Sequence, residues 1–341
     1  MNCKVKFLTL ITAFIFITCG KQTEDYNYGM SITVPNVIAP ISDYNPQQIN
    51  LLRAANVFQI LALQKFFQDN KGENIAVAAL PLFENLSGVT KFNDYFTQLY
   101  TNFDSKNKLS PDDIKKELDS IGLIIKAIDS SLLISSSFEW TQKDSVPFLK
   151  QSLEIFFLYS DALQTENAIY DKTKHLFSIT DVFKMYESDN ETVAEIPFGN
   201  QNYSIILIKP NMNIETYIDN FSERKYKNIL DSMIEQHATV VFPKLDFTTK
   251  PLQFHFPVLD NMKNSENILP ALADSLRIQL QISILFKNPT LAMLALTEKT
   301  PDKQLPKSLE HISKTEFGKD FIFLIRGRYS NMILLLGVCS K

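Results

Sequence analysis

The chain has 341 residues, 45% of them hydrophobic and 21% charged, with a formal net charge of −4. These values exclude a disordered chain and supply material for a substantial core. They give no basic surplus that would draw in nucleic acid.

At the N-terminus, Lys4 and Lys6 precede an apolar run from Phe7 to Thr18, and Cys19-Gly20-Lys21 follows. The run is shorter than the roughly 20 residues a spanning helix needs. It matches the core of a secretory signal with basic residues before it. A Cys directly after such a core resembles the lipobox of bacterial lipoproteins, where the thiol is acylated and the chain is cut just before it. Phe16-Ile17-Thr18 stands where that motif has Leu and small residues, so an ordinary signal peptide with an unrelated Cys is the alternative. The expected organisation is a signal peptide over 1–18, a lipid anchor and tether over 19–45, and a folded domain over 46–341. The protein is then exported and held on a bacterial membrane or cell surface, with the lipid bilayer as a partner through Cys19. Of the three cysteines, Cys3 leaves with the signal and Cys19 carries lipid. Only Cys339 remains in the domain, so no intramolecular disulfide is expected.

Residues 20–45 are polar, hold two prolines and show no period, which reads as a tether. Residues 47–68 carry apolar side chains at helical spacing. Asn74 to Leu86 begins as a strand and passes into a helix. Ser110 is an N-cap for a helix from Pro111 to Lys126, with acids in its first turn. Leu132 to Ser137 reads as a strand, and Val146 to Tyr159 as an amphipathic helix rich in Phe. From Thr192 onward strands dominate: TVAEIPF, YSIILIKP, ATVVFPKLDF, LRIQLQISILF, DFIFLIRG and MILLLGVC. Helices first and strands later predict an α+β domain with helices around antiparallel sheets.

The sequence holds no G-x-S-x-G, no H-E-x-x-H, no Gly-rich phosphate loop and no C-x-x-C. His175, His237, His255 and His311 have no partner at metal-ligand spacing. No enzyme, metal site or cofactor is expected.

Five segments carry a resemblance. Phe317 to Arg326 and Asn331 to Ser340 resemble the closing hairpin of the serpin family, which pairs a "PFLFFIR"-like with an "ILFFGRV"-like strand. TVAEIPFGNQNYSIILIKP is similar to the serpin hairpin that runs into a Pro-marked loop. ATVVFPKLDF resembles the "LPKF" strand, and ENIAVAA the "NIFISP" strand. Leu132 to Gln164 is similar to the strand 2 and helix E stretch of the large sheet. The resemblance implies a serpin-like α+β fold and, as inherited function, serine-protease inhibition through an exposed reactive loop.

Several positions depart from the family pattern. Between Gln164 and Phe183 the chain is too short for a helix plus a long strand. The large sheet is therefore expected to lack helix F and one central strand. The only tryptophan, Trp140, falls in the helix E region, the shutter Ser-Pro is Ala78-Ala79, and the shutter His falls on Gln279. A trapping serpin inserts its cleaved loop into the large sheet through a hinge of small residues. The aligned hinge here is Lys287, Asn288, Pro289, Thr290, Leu291, Ala292 and Met293. Lys287 reverses the expected charge. Pro289 fixes φ and removes a ladder donor, and Leu291 and Met293 are bulky where alanines are usual. Residues 291–296 therefore read as a fixed strand, and trapping as degraded. Residues 297–315 are polar and read as an exposed loop. Counting from the hinge puts the scissile side near Lys303 and Gln304, with Lys307 behind. A lysine there would suit a trypsin-like serine protease. The alternative is a non-inhibitory surface binding protein on the same scaffold.

Overall fold

The computed structural model describes residues 44–78, 90–104, 109–128, 132–143, 146–158, 168–171, 173–198, 202–249, 252–253, 277–287 and 313–340. It opens with α1 (Pro46–Asp69), which starts sharply for local reasons. Asn45 accepts from the Gln48 backbone N–H at 2.8 Å, and the Gln48 side chain accepts from the Asn45 N–H at 3.0 Å. This is a reciprocal capping box with Pro46 in the first turn. Leu51, Ala55, Phe58, Ala62 and Phe66 of α1 are buried, as the helical period predicts.

The helix is followed by β1 (Ile75–Val77), α2 (Thr90–Thr101) and α3 (Pro111–Ile128). In α3, Ser110 and Asp113 cap each other's groups, with the Ser110 hydroxyl donating to Asp113 at 2.6 Å. The helix expected after Asn74 lies over residues outside those described. Helix α2 lies in TKFNDYFTQLYT, a segment to which the sequence reading above assigns no element.

Next come β2 (Leu132–Lys143) and β3 (Val146–Leu158), antiparallel with Leu132 opposite Phe157 and Lys143 opposite Val146. This corrects the amphipathic helix expected over 146–159, and it puts Trp140 in a strand. Alternation over Leu149, Leu153, Ile155 and Phe157 fits a strand as well as a helix, and two long strand neighbours settle the choice.

The chain continues through β4 (Ala168–Asp171), β5 (Leu176–Glu187), β6 (Glu191–Phe198), β7 (Tyr203–Pro210), α4 (Ile214–Asp219), α5 (Glu223–Ser232) and β8 (Ile234–Pro243). It ends with β9 (Asp246–Thr248), β10 (Leu252–Gln253), β11 (Arg277–Lys287), β12 (Ser313–Glu316), β13 (Phe321–Gly327) and β14 (Ile333–Cys339).

Two sheets result. The nine-stranded sheet runs β1-β14-β13-β7-β6-β5-β8-β12, with β4 on β5. The five-stranded sheet runs β10-β11-β3-β2, with β9 on β11. Residues 168–187 supply two strands of the larger sheet, and no helix lies between β2 and β5 among the described residues. The centre of the five-stranded sheet is not left short: β3 fills the place beside β11, drawn from 146–158 rather than from 165–185.

The closing hairpin forms as the sequence expects, with Phe321 opposite Cys339 and Leu324 opposite Leu336. Both strands are buried along their whole length. Phe247 of β9 meets Phe323 of β13 edge-on, with ring centroids 6.0 Å apart, so the two sheets touch there. Helix α1 is stitched to the hairpin by polar side chains. Asn56 donates to the Asn331 carbonyl at 2.9 Å and accepts from the Ile333 N–H at 2.8 Å. Gln59 donates to the Ile333 carbonyl. Gly337 allows the hairpin to lie close to β1: a Cβ there would stand 2.7 Å from the Ile75 carbonyl oxygen and closer still to the Phe323 ring.

Candidate functional site

The arrangement with most functional content is the connection between β11 and β12, because its two ends belong to different sheets. At its upstream end all eleven residues of β11 pair with β3 in parallel, from Arg277 opposite Phe148 to Lys287 opposite Leu158. Parallel neighbours must be joined by a long crossover, so this ladder forms only when residues far apart in sequence meet. Lys287, the first expected hinge residue, is therefore a strand residue on the last rung. Gln279, at the shutter position, is an interior rung opposite Lys150. Ala78 is buried directly after β1.

At the downstream end, β12 runs parallel to β8, with Ser313 opposite Ala238 and Glu316 opposite Val241. It is an edge strand, and Ser313, Lys314 and Glu316 are exposed. The junction behind it is firm. The Phe317 N–H donates to the Val241 carbonyl at 2.7 Å, and the Lys209 ammonium donates to the Glu316 carbonyl at 3.1 Å. Phe317 is fully buried against Phe321. The remaining hinge residues (Asn288, Pro289, Thr290, Leu291, Ala292, Met293) and the loop residues Lys303, Gln304 and Lys307 lie outside the described residues, as does Cys19.

A second cluster was not legible in the sequence. Glu195 of β6 is buried, and one of its oxygens, Oε1, gathers every contact. Ser204 donates to it at 2.6 Å, Arg326 at 2.6 and 3.1 Å, and the Arg328 guanidinium stands 3.3 Å away. Burial pushes the Glu195 carboxyl up, but Arg326, the Ser204 hydroxyl and Arg328 outweigh it and hold it below the usual carboxylate range. Arg326 also donates to the Asn331 side chain at 2.5 Å. Burial pushes the nearby Tyr226 phenol up; its hydroxyl donates to the Asn331 carbonyl at 3.3 Å. Glu195 and Ser204 come from one segment of the family resemblance, Arg326 and Asn331 from another, and Arg328 and Tyr226 from neither, and nothing in their spacing signals that they meet. Glu195 and Arg326 are buried in the sheet. The pocket lined by Tyr44, Tyr203, Gly327, Tyr329 and Leu334 is water-sized.

His175 and His237 are exposed on separate elements, while His255 and His311 lie outside the described residues. Among the described residues no group of three metal-ligating side chains occurs, and no helix is long and apolar enough to cross a membrane.

The fold has clear relatives among solved structures. Native protease nexin-1 with heparin matches at TM-score 0.53 and 13% identity, over 87% of this chain and 100% of that one. Maspin matches at 0.53 and 12%, over 87% and 100%. Uncleaved ovalbumin matches at 0.56 and 12%, over 85% and 99%. The chain thus has the α+β serpin-like arrangement, helices around antiparallel sheets. No protein-family model matches the sequence, and no curated protein does.

Proposed function

We propose that this chain is an exported, lipid-anchored member of the serpin group that meets a serine protease through the segment between β11 and β12 and does not trap it. The observation that carries the reading is the position of the two strands that flank that segment. The segment leaves the last rung of a parallel interior ladder at Lys287 and re-enters the fold at the exposed edge strand β12. A long connection held at both ends presents backbone and side chains to a partner. Lys303 then serves as the residue offered to a trypsin-like specificity pocket, with Gln304 on the far side of the scissile bond and Lys307 close by.

The absence of trapping rests on the chemistry of the hinge. Insertion would have to part β11 from β3 rung by rung and place Pro289 at the start of the new strand. Proline contributes no ladder donor. Leu291 and Met293 would follow where small residues are needed. Inhibition by this chain is therefore competitive and reversible, and ends in cleavage of the segment.

The experiment is incubation with trypsin-like and elastase-like proteases, read on denaturing gels and by residual activity. Reversible inhibition or clean cleavage of the loop without an SDS-stable adduct is the expected result. An SDS-stable complex would overturn the loss of trapping. Complete indifference of both proteases, with the segment left uncut, would overturn the inhibitor reading. It would favour the second one, a binding protein on the same scaffold, which the hinge substitutions already support.

A further inference from the structure

The hairpin β13–β14 comes after every other element of both sheets in chain order, yet it lies inside the larger one. β13 is flanked by β7 and β14, and β14 has β1 on its far side. The seam with β7 runs from Ile322–Ile208 to Gly327–Tyr203, and the seam with β1 from Ile75–Val338 to Val77–Leu336. Every residue of both strands is buried.

The earliest elements of the domain take their partners from this hairpin. Among the described residues β14 is the only strand that pairs with β1. Helix α1 packs on β1 and β14. Its Asn56 bonds the backbone at Asn331 and Ile333, and its Gln59 bonds the Ile333 carbonyl. The Ser340 N–H donates to the Asn74 side chain at 2.9 Å, which joins the entry of β1 to the exit of β14. These partners stand 266 to 277 residues apart. Until the hairpin is placed, β7 has an open ladder on the side away from β6, and the three-residue strand β1 lacks the ladder it needs. A strand that short is not stable by itself, and unpaired backbone is costly to bury. Net stability is a small difference between large opposing terms, so the sheet without its interior pair falls below the margin. Contacts this far apart in sequence also pay the entropy of loop closure before they reward it.

We infer that residues 321–339 are a folding gate: α1, β1 and β7 lock only when this hairpin has been placed, so the chain stays threadable until residue 339 has been made. The use of that delay is export, in which an extended chain is passed through a membrane. That use rests on the signal reading proposed above, whereas the folding order does not.

Pulse-labelled hydrogen exchange during refolding of the full chain from urea, resolved by peptide, tests the order. Amides of α1, β1 and β7 should become protected together with those of 321–339, at rates within about twofold of each other. Protection of α1 and β7 at least tenfold ahead of the hairpin would overturn the gate. A second measurement follows the chain as it is made. The full sequence is stalled on the ribosome by an arrest peptide placed directly after Lys341, which keeps the hairpin in the exit tunnel, or after a long Gly/Ser linker, which frees it. Trypsin should degrade α1 and β5–β8 in the first case and spare them in the second. Equal digestion in the two cases would overturn the gate as well. N-terminal sequencing of the full chain recovered from expressing cells separates the two claims. An uncut N-terminus beside the expected folding order would overturn the use in export and leave the gate standing.

Discussion

Lys287 stands opposite Leu158 on the last rung of the parallel ladder between β11 and β3, and the β11–β12 connection begins at the next residue. A strand inserted beside β11 would have to displace that rung first, with Pro289 among the first residues to enter. We therefore expect the nicked protein to gain no stability. Trypsin should cut at Lys299, Lys303 or Lys307, since loops of the kind proposed for this polar segment are cut readily. Calorimetry should then place the melting temperatures of cut and intact forms within about 4 °C of each other. A rise of tens of degrees would show that strain is released by insertion after all.

Gly337 lies where β14 crosses closest to β1. Gly337→Ala puts a methyl group 2.7 Å from the Ile75 carbonyl oxygen and against the Phe323 ring. Both neighbours are fixed, one as backbone and one as a fully buried ring. The cost should be about 1–3 kcal/mol, a fall in melting temperature of several degrees. Gly122 of α3 is the control, because nothing stands within 4 Å of a Cβ there. Gly122→Ala should stabilise by roughly 0.5–1 kcal/mol through helix propensity and a less flexible unfolded chain. Equal effects at the two positions in thermal melts would contradict the packing described.

The Glu195 carboxyl titrates lower in the folded protein than in the unfolded chain. Its contribution to stability is thus fully present above the unfolded value, about 4.3, and is lost as pH falls through the lower folded value. At pH 7, Glu195→Gln should cost about 3 kcal/mol or more, since it strips a buried ion pair of its anion. Denaturant melts at a series of pH values should show that deficit shrinking below about pH 4. A deficit independent of pH would mean that the loss comes from packing and not from charge.

The proposed lipid anchor is the thiol of Cys19, directly after the apolar run that reads as a signal core. Palmitate labelling and membrane partition of the full chain are expected, and Cys19→Ser should abolish both. Equal labelling of the two proteins, or none in either, would leave an ordinary signal peptide as the reading of the N-terminus.

Much of the fold follows from short-range chemistry and is legible along the chain. The capping pattern around Asn45 and Ser110, the period of 47–68 and the apolar runs of 321–327 and 333–339 each specify an element by themselves. The order of these segments suffices to suggest the serpin-like arrangement. Tertiary structure decided three other things. Residues 146–158 suit a helix or a strand equally well by pattern. They became a strand because β2 on one side and β11, more than a hundred residues later, on the other supply hydrogen-bond partners along their whole length. Residues 90–101 carry Phe92, Tyr95, Phe96, Leu99 and Tyr100 at helical spacing, and tertiary structure decided what that face meets. Phe96, Leu99 and Tyr100 are buried in the core around α1. The contact between Glu195 and Arg326, 131 residues apart, exists only because β7 holds β6 and β13 on either side of it. Each of these depends on partners that approach only after the chain has folded back on itself, and one-dimensional spacing carries no record of that approach.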